Sequence, residues 1–392
     1  MKINKLYFFV LLLSAAGLLR FVLTPLLNKD NIVIQIGSLI VIFLIGAFFL
    51  LRVSAKIIEE TTEVLSERTK LAGGLLQSLG TAFPDLILGI VAAIVSVNLR
   101  STDYFRAISY AIIAASTTFG SNIYNIAHAA WCMYRQNKAN RDNTSISMFP
   151  GIPAGGRVIP FNNHLIKPQL SEFDTAIQIL MALTLLTSAV AISMVLFGKV
   201  PIEGLQYKED LYQLIRPIGI VIFLLSGYIL YLFRKTHRKE SAIKDIAQAE
   251  QYYRKKSTGI ILIHLLLSGV IILLTAESMI HAIETLSHIT HIPPVITGAF
   301  AGLIGCLGEI LVIHNYTVHP KGRIGDALIG VGMDNIVTTA GAAIVAMMGG
   351  IFLGGSSLIV IFVLILGMNT ILIGQISQMK NYFLQKNNLE SI

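Results

Sequence analysis

Residues 77–90 read QSLGTAFPDLILGI and place one carboxylate, that of Asp85, inside a long apolar stretch. The nearest basic residues, Lys70 and Arg100, each lie 15 positions away. A helix through this stretch therefore carries Asp85 close to the middle of a lipid bilayer. An acidic side chain at that depth costs a few kcal/mol to insert, so Asp85 indicates a functional site.

The whole chain has the composition of a polytopic membrane protein. Of its 392 residues, 54% are hydrophobic and 13% are charged, with mean hydropathy +0.71. Soluble domains carry roughly 25% charged residues, so soluble, disordered and fibrous classes are excluded. Apolar runs predict an all-α polytopic membrane fold of ten transmembrane helices. The predicted helices span residues 6–27, 31–66, 70–98, 103–133, 173–198, 213–234, 258–287, 292–318, 323–350 and 355–379.

Basic residues divide unequally between the two sides that these ten helices define. One side carries 23 of the 30 Lys and Arg residues and the other carries 6. The positive-inside rule then places both termini and a basic linker, residues 234–257, in the cytoplasm. The net charge of +8 consequently reflects topology and contact with lipid, and not nucleic-acid binding. On the same side, residues 135–172 contain four prolines and predict an irregular loop.

The two halves of the chain resemble each other. A shift of 224 positions lays Asp85 on Glu309 and Glu60 on Glu284. Under the predicted topology the two carboxylate helices run in opposite directions, so the repeat is inverted, as in many secondary transporters. The predicted organisation is an extra helix (1–30), a first half (31–233; signature helices 70–98 and 103–133), the linker (234–257) and a second half (258–392; signature helices 292–318 and 323–350).

The shared carboxylates predict a cation site near the middle of the membrane. Two facing acids repel each other unless a cation or a proton lies between them. Hard cations such as Ca²⁺ and Na⁺ prefer oxygen ligands from carboxylates, amides and hydroxyls. Asp85 and Glu309 are the predicted metal ligands. The further predicted ligands are polar residues of the signature helices, namely Thr81, Ser121, Asn125, Asp334, Asn335 and Thr338.

Proline and glycine predict where the carboxylate helices are interrupted. Pro84 lies beside Asp85, and Pro293, Pro294 and several glycines precede Glu309. Interrupted helices expose backbone carbonyls that can bind a cation inside a protein-enclosed cavity.

A second cluster of metal-binding residue types lies between residues 281 and 291. His281, Glu284, His288 and His291 share one helix face and suggest Zn²⁺ as an alternative. A structural role is the favoured interpretation, because Glu284 aligns with Glu60 under the shift of 224 positions, and the first half has no such histidines beside Glu60.

At the carboxylate motifs the chain resembles the calcium/cation antiporter superfamily, which includes the sodium/calcium exchangers. Each repeat of that family carries G-T-S-x-P-E and then G-S-N-x-x-N. Residues 80–85 read GTAFPD and residues 120–125 read GSNIYN, whereas the second half has IGCLGE at 304–309 and MDN at 333–335. The resemblance covers roughly residues 45–133 and 270–350. It implies a core of ten helices and places a family ligand at Thr338 or Thr339.

The residues and the resemblance together predict a secondary active antiporter and not an enzyme. It would exchange Ca²⁺ or a similar cation for Na⁺ or H⁺ by alternating access. A cation channel or leak with the same polar lining is the alternative. A membrane-embedded enzyme is least favoured. The expected partners are the lipid bilayer and inorganic cations, with no cofactor, nucleic acid or ATP. A monomer in a prokaryotic inner membrane is the expected setting.

Overall fold

A computed structural model describes residues 5–29, 31–69, 80–165, 167–200, 210–237, 251–320, 322 and 324–390. Helix α1 is continuous through Lys5–Leu18, the π-helical Leu19–Leu23 and Thr24–Leu26. Helix α2 is continuous through Ile32–Val41, the π-helical Ile42–Leu51 and Arg52–Thr69. The other helices are α3 (Phe83–Leu99), α4 (Tyr104–Asp142), α5 (Leu170–Phe197), α6 (Arg216–His237), α7 (Gln251–Arg254), α8 (Thr258–Thr290), α9 (Pro294–Gly305), α10 (Leu307–Val318), α11 (Ile324–Met347) and α12 (Gly355–Glu390).

Short strands connect some of these helices. Strands β1 (Ile146–Phe149) and β2 (Ile152–Val158) form an antiparallel hairpin after α4. Strands β3 (Lys199–Val200), β4 (Leu211–Gln213) and β5 (Phe352–Gly354) form a second antiparallel sheet in that order. In its register Val200 pairs with Leu211, and Leu211 pairs with Gly354. This sheet joins the end of α5 to the start of α12.

The predicted all-α membrane architecture agrees with the described helices. Each of the ten predicted segments overlaps a helix, and segment 292–318 is divided between α9 and α10. By length and hydropathy, seven of the described helices could cross a membrane, or eight if α9 and α10 form one span bent by 51°. Ten spans therefore stay a prediction. Residues 70–79, most of the linker, Lys321 and Arg323 lie outside the described residues.

Helix α4 lies at the centre of the fold, packed against α3, α9, α10, α11 and α12. Its first turn is capped by the Asp103 carboxylate, which accepts a hydrogen bond from the Arg106 backbone N–H at 3.1 Å. Glycines of α9 allow very close packing: a Cβ added to Gly302 would lie 2.7 Å from the backbone nitrogen of Ser121. Small residues thus bring the second half of the chain against α4.

The predicted irregular loop 135–172 is wrong in two respects. Helix α4 continues to Asp142, and the β1–β2 hairpin fills much of the remaining segment. The hairpin is fixed to α4 because the Trp131 indole N–H donates to the Met148 carbonyl at 3.2 Å. Arg135 Nε also donates to the Ser147 carbonyl, at 3.1 Å. Proline and glycine therefore mark the hairpin turn and strand ends here and not an absence of structure.

The hairpin also contacts the second half of the chain. The Phe149 ring stacks on the His314 ring of α10, with centroids 5.7 Å apart and planes inclined by 15°. Gly156 of β2, at φ +79°, packs against Val318 at the end of α10. Hairpin β1–β2 thus bridges the ends of α4 and α10.

Candidate cation site

Asp85 lies in the first turn of α3, directly after a break in the helical backbone. Ala82 has φ −77° and ψ −6°, and Pro84 occupies the start of the new helix, where its missing N–H costs nothing. The Asp85 side chain is completely buried. Neither of its carboxylate oxygens has a hydrogen-bond partner among the described residues.

Glu309 occupies the equivalent place in the second half. Cys306 has φ −86° and ψ 6° and separates α9 from α10, and Glu309 follows in the first turn of α10. Ala82 and Cys306 are related by the same shift of 224 positions that relates the two acids. The second interruption therefore falls at Cys306, between the predicted glycines Gly305 and Gly308, whereas Pro293 and Pro294 lie at the start of α9.

An amide from α4 holds one oxygen of Glu309. Asn125 Nδ2 donates to Glu309 Oε2 at 2.5 Å, across the boundary between the two halves. Glu309 Oε1 and Asn125 Oδ1 have no partner within the described part of the chain. Asn122, one turn earlier on α4, donates to Thr339 Oγ1 at 3.5 Å, and its own Oδ1 is also without a partner there.

A third carboxylate, that of Asp334 on α11, joins this region. Thr81 donates its hydroxyl hydrogen to Asp334 Oδ1 at 2.9 Å. Asp334 interacts electrostatically with both Asp85 and Glu309. The structure therefore brings together three acids from α3, α10 and α11.

The remaining predicted ligands donate hydrogen bonds along their own helices. Ser121 lies beside Asp85 and donates to the Thr118 carbonyl at 3.0 Å. Thr338 donates to the Asp334 carbonyl at 2.9 Å, and Asn335 donates to the Val331 carbonyl at 2.7 Å. A hydroxyl that donates in this way keeps lone pairs for a cation. The described hydrogen bond of Asn335 is to the backbone of its own helix and does not involve a site acid.

Burying this group of oxygens costs free energy when no positive charge lies among them. An unpaired buried polar oxygen loses its hydration without compensation, and a buried carboxylate loses still more. Five such oxygens lie here: both of Asp85 and one each of Glu309, Asn122 and Asn125. A bound cation can compensate all five oxygens, and protons can neutralise the two carboxylates. The arrangement is suited to a hard cation held by carboxylate and amide oxygens.

Ionisable side chains alone do not form a metal centre in the part of the chain that the structure describes. No three His, Cys, Asp or Glu side chains within the described ranges are placed to hold a metal ion together. Amide, hydroxyl and carbonyl oxygens are the other protein ligands that a hard cation accepts beside carboxylates.

The zinc alternative at residues 281–291 is wrong. Glu284 accepts two hydrogen bonds from the Arg106 guanidinium, at 2.9 and 3.0 Å. His281 Nδ1 lies 2.7 Å from the Tyr110 hydroxyl. These groups connect α4 to α8, which is the structural role that the sequence favoured.

Two solved structures share this fold over nearly the whole chain. The H⁺/Ca²⁺ exchanger CAX aligns with a TM-score of 0.54 at 13% identity, covering 97% of this chain and 98% of CAX. Native YfkE aligns with a TM-score of 0.52 at 11% identity, covering 96% of this chain and 97% of YfkE. The chain has the exchanger fold. No protein-family model matches the sequence, and neither does the sequence of any curated protein.

Two residues near the site acids are not among the predicted ligands, namely Asn122 and Gly305. Asn122 shares its motif with Ser121 and Asn125, and its buried Oδ1 has no partner within the described ranges, so its motif position was the available signal. Gly305 packs directly against Asp85. A contact between residues 220 positions apart leaves no local signal in the sequence.

Proposed function

We propose that the protein is a secondary active cation antiporter. It exchanges Ca²⁺ or a similar cation for Na⁺ or H⁺ at the site between Asp85 and Glu309. The observation that carries the proposal is the pair of buried acids, each three residues after an equivalent break, with oxygens that have no described partner. The likeness of the fold to an H⁺/Ca²⁺ exchanger supports it.

Alternating access provides the mechanism. The site acids bind the cation from one side, and the two halves then rearrange so that the same acids face the other side. The counter-ion or protons neutralise the acids for the return step, because an empty site would leave several buried negative charges close together. Asp85, Glu309, Thr81, Ser121, Asn125, Asp334, Asn335 and Thr338 are the proposed ligands, with the first two as the main ones.

The proposal includes ten membrane spans in two inverted repeats with both termini in the cytoplasm. The excess of basic residues on one side and the equivalent breaks at Ala82 and Cys306 support this topology. The proposed setting is a prokaryotic inner membrane, and the proposed unit is a single chain with lipid and inorganic cations as its partners. Neither ATP nor nucleic acid takes part.

A flux assay tests the proposal. Purified protein in proteoliposomes is expected to take up ⁴⁵Ca²⁺ only when an opposing Na⁺ or H⁺ gradient is imposed, with the two gradients applied separately. Asp85→Asn and Glu309→Gln should abolish uptake, because each removes a ligand charge and keeps the side-chain shape. Asp174→Asn is the matched control, since Asp174 pairs with Lys380 at 2.5 Å and is 46% exposed.

The same assay separates the antiporter from a channel. A channel conducts without a counter-ion and needs a continuous open path. Asp85 is 0% exposed and Glu309 is 4% exposed, which favours an occluded site over an open pore. Uptake that persists without any counter-gradient, or that survives in both site variants, would reject the antiporter.

A further inference from the structure

Gly305 ends α9 at the point where α9 meets the first turn of α3. A Cβ added to Gly305 would overlap Asp85 Oδ1 and would lie 2.8 Å from Asp85 Cγ and 3.2 Å from Asp85 Cα. The carboxylate therefore occupies the space in which any other residue would carry its side chain. Rotation of the carboxylate alone cannot relieve the overlap, because the Asp85 backbone is also close.

Neighbouring glycines differ from Gly305 in what they contact. A Cβ on Gly298 would meet Ser116 and the backbone of Ile113, which belong to α4 and are not site acids. A Cβ on Gly308 would meet nothing within 4 Å, although Gly308 directly precedes Glu309. Contact with a site carboxylate therefore distinguishes Gly305 from these two neighbours.

The two halves of the chain are unequal at this position. The shift of 224 lays Gly305 on Thr81, whose hydroxyl donates to Asp334 at 2.9 Å. The second half thus lacks the side chain that the first half uses to hold an acid. The Asp85 carboxylate lies in the space that this missing side chain leaves.

We propose that Gly305 is a positioning residue that fixes how far the Asp85 carboxylate extends into the site and thereby sets the size of cation that the site accepts. The inference rests on the proposed function. Protein oxygens bind Ca²⁺ at about 2.3–2.6 Å and Mg²⁺ at about 2.0–2.1 Å, so small displacements of one carboxylate change selectivity. Moving Oδ1 out of contact with a new methyl group requires a displacement on the order of 1 Å or more.

The test compares Gly305→Ala with Gly308→Ala and Gly298→Ala in proteoliposomes, measuring KM and kcat for Ca²⁺ uptake and inhibition by Mg²⁺, Sr²⁺ and Ba²⁺. Gly305→Ala should raise the KM for Ca²⁺ by about tenfold, the scale of effects from residues that orient metal ligands. Inhibition by the larger Ba²⁺ should change by a different factor, because the displaced carboxylate alters the space for the cation, so the preference for Ca²⁺ over Ba²⁺ should shift. Gly308→Ala should change neither quantity. Gly298→Ala should lower thermal stability but leave the preference unchanged.

An unchanged preference in Gly305→Ala, with stability lowered as in Gly298→Ala, would show that Gly305 is only a packing residue. If Gly305→Ala does not fold, stability is measured in an Asp85→Ala background. There the added methyl group should be tolerated and the double variant should fold, because the overlapping carboxylate is gone. A double variant that fails to fold while Asp85→Ala alone folds would overturn the inference. Flux that survives in Asp85→Asn would instead refute the proposed function, and this inference with it.

Discussion

Asn125→Leu tests whether the contact between the halves belongs to the cation site. Asn125 Nδ2 donates to Glu309 Oε2 at 2.5 Å, and its Oδ1 is buried without a partner among the described residues. Leucine has a similar volume but can neither donate to Glu309 nor bind a cation. A hydrogen bond to a charged group is worth about 1.5–3 kcal/mol. Because the Glu309 bond is already present without a cation, affinity depends on the contact of Asn125 Oδ1 with the charged ion, which is an interaction of the same scale. As 1.4 kcal/mol is about tenfold in affinity, losing that contact should weaken cation binding about tenfold to a hundredfold.

The chain offers a matched control for this substitution. Asn369 is also fully buried, and its Oδ1 has no partner among the residues that the structure describes. Its amide donates to the Leu180 carbonyl at 2.9 Å and to Thr184 at 2.7 Å. It joins α12 to α5. Asn369→Leu should therefore cost stability, about 1–3 kcal/mol, but leave cation affinity unchanged.

Isothermal titration of purified protein with Ca²⁺ measures affinity, and thermal unfolding in the same detergent measures stability. The expected result is a weakened affinity in Asn125→Leu alone. Equal Ca²⁺ affinities in the two variants would refute the assignment of Asn125 to the site.

The other predictions concern groups outside the proposed ligand set. Arg106→Ala should lower stability by about 1–3 kcal/mol in thermal unfolding, because Glu284, only 12% exposed, loses both guanidinium bonds; an unchanged midpoint would contradict a structural role. Burial lowers the pKa of His164, in the loop after β2, below its ordinary 6.5. The unfolded chain therefore takes up a proton first, so stability from His164 is present above pH 6.5 and is lost as the pH falls below that value. His164→Gln should show a smaller loss of thermal stability on acidification, and an identical pH profile would refute this.

Much of the fold follows from hydropathy alone. Long apolar runs must satisfy their backbone groups within a helix, so the predicted segments and the described helices overlap. The two site acids are predictable from energetics. Burying a carboxylate in a bilayer is costly, so Asp85 and Glu309, each in the middle of an apolar stretch, indicate a functional site. Their burial beside Asp334 follows from the fold and not from either motif alone.

Features that depend on tertiary contacts were not predictable in the same way. Arg135 and Gln136 look like the start of a polar loop, yet α4 continues because both side chains bond to the segment that folds back on it. No proline marks the break at Cys306 in the sequence. Of the residues expected to share a helix face with Glu284, His291 lies past the end of α8, and Arg106, from another helix, binds the Glu284 carboxylate.

The bridge formed by Phe149 has a mechanical consequence. Helix α4 supplies Asn125 from the first half and α10 supplies Glu309 from the second, while Phe149 stacks on His314 of α10 and the adjacent Met148 carbonyl is bonded to Trp131 of α4. If α4 and α10 separate at this end, the hairpin can stay with only one of them, and either its hydrogen bond to Trp131 or its stacking on His314 must break. We therefore expect residues 146–158 to make separation of α4 and α10 at this end more costly than it would be for helices without these contacts.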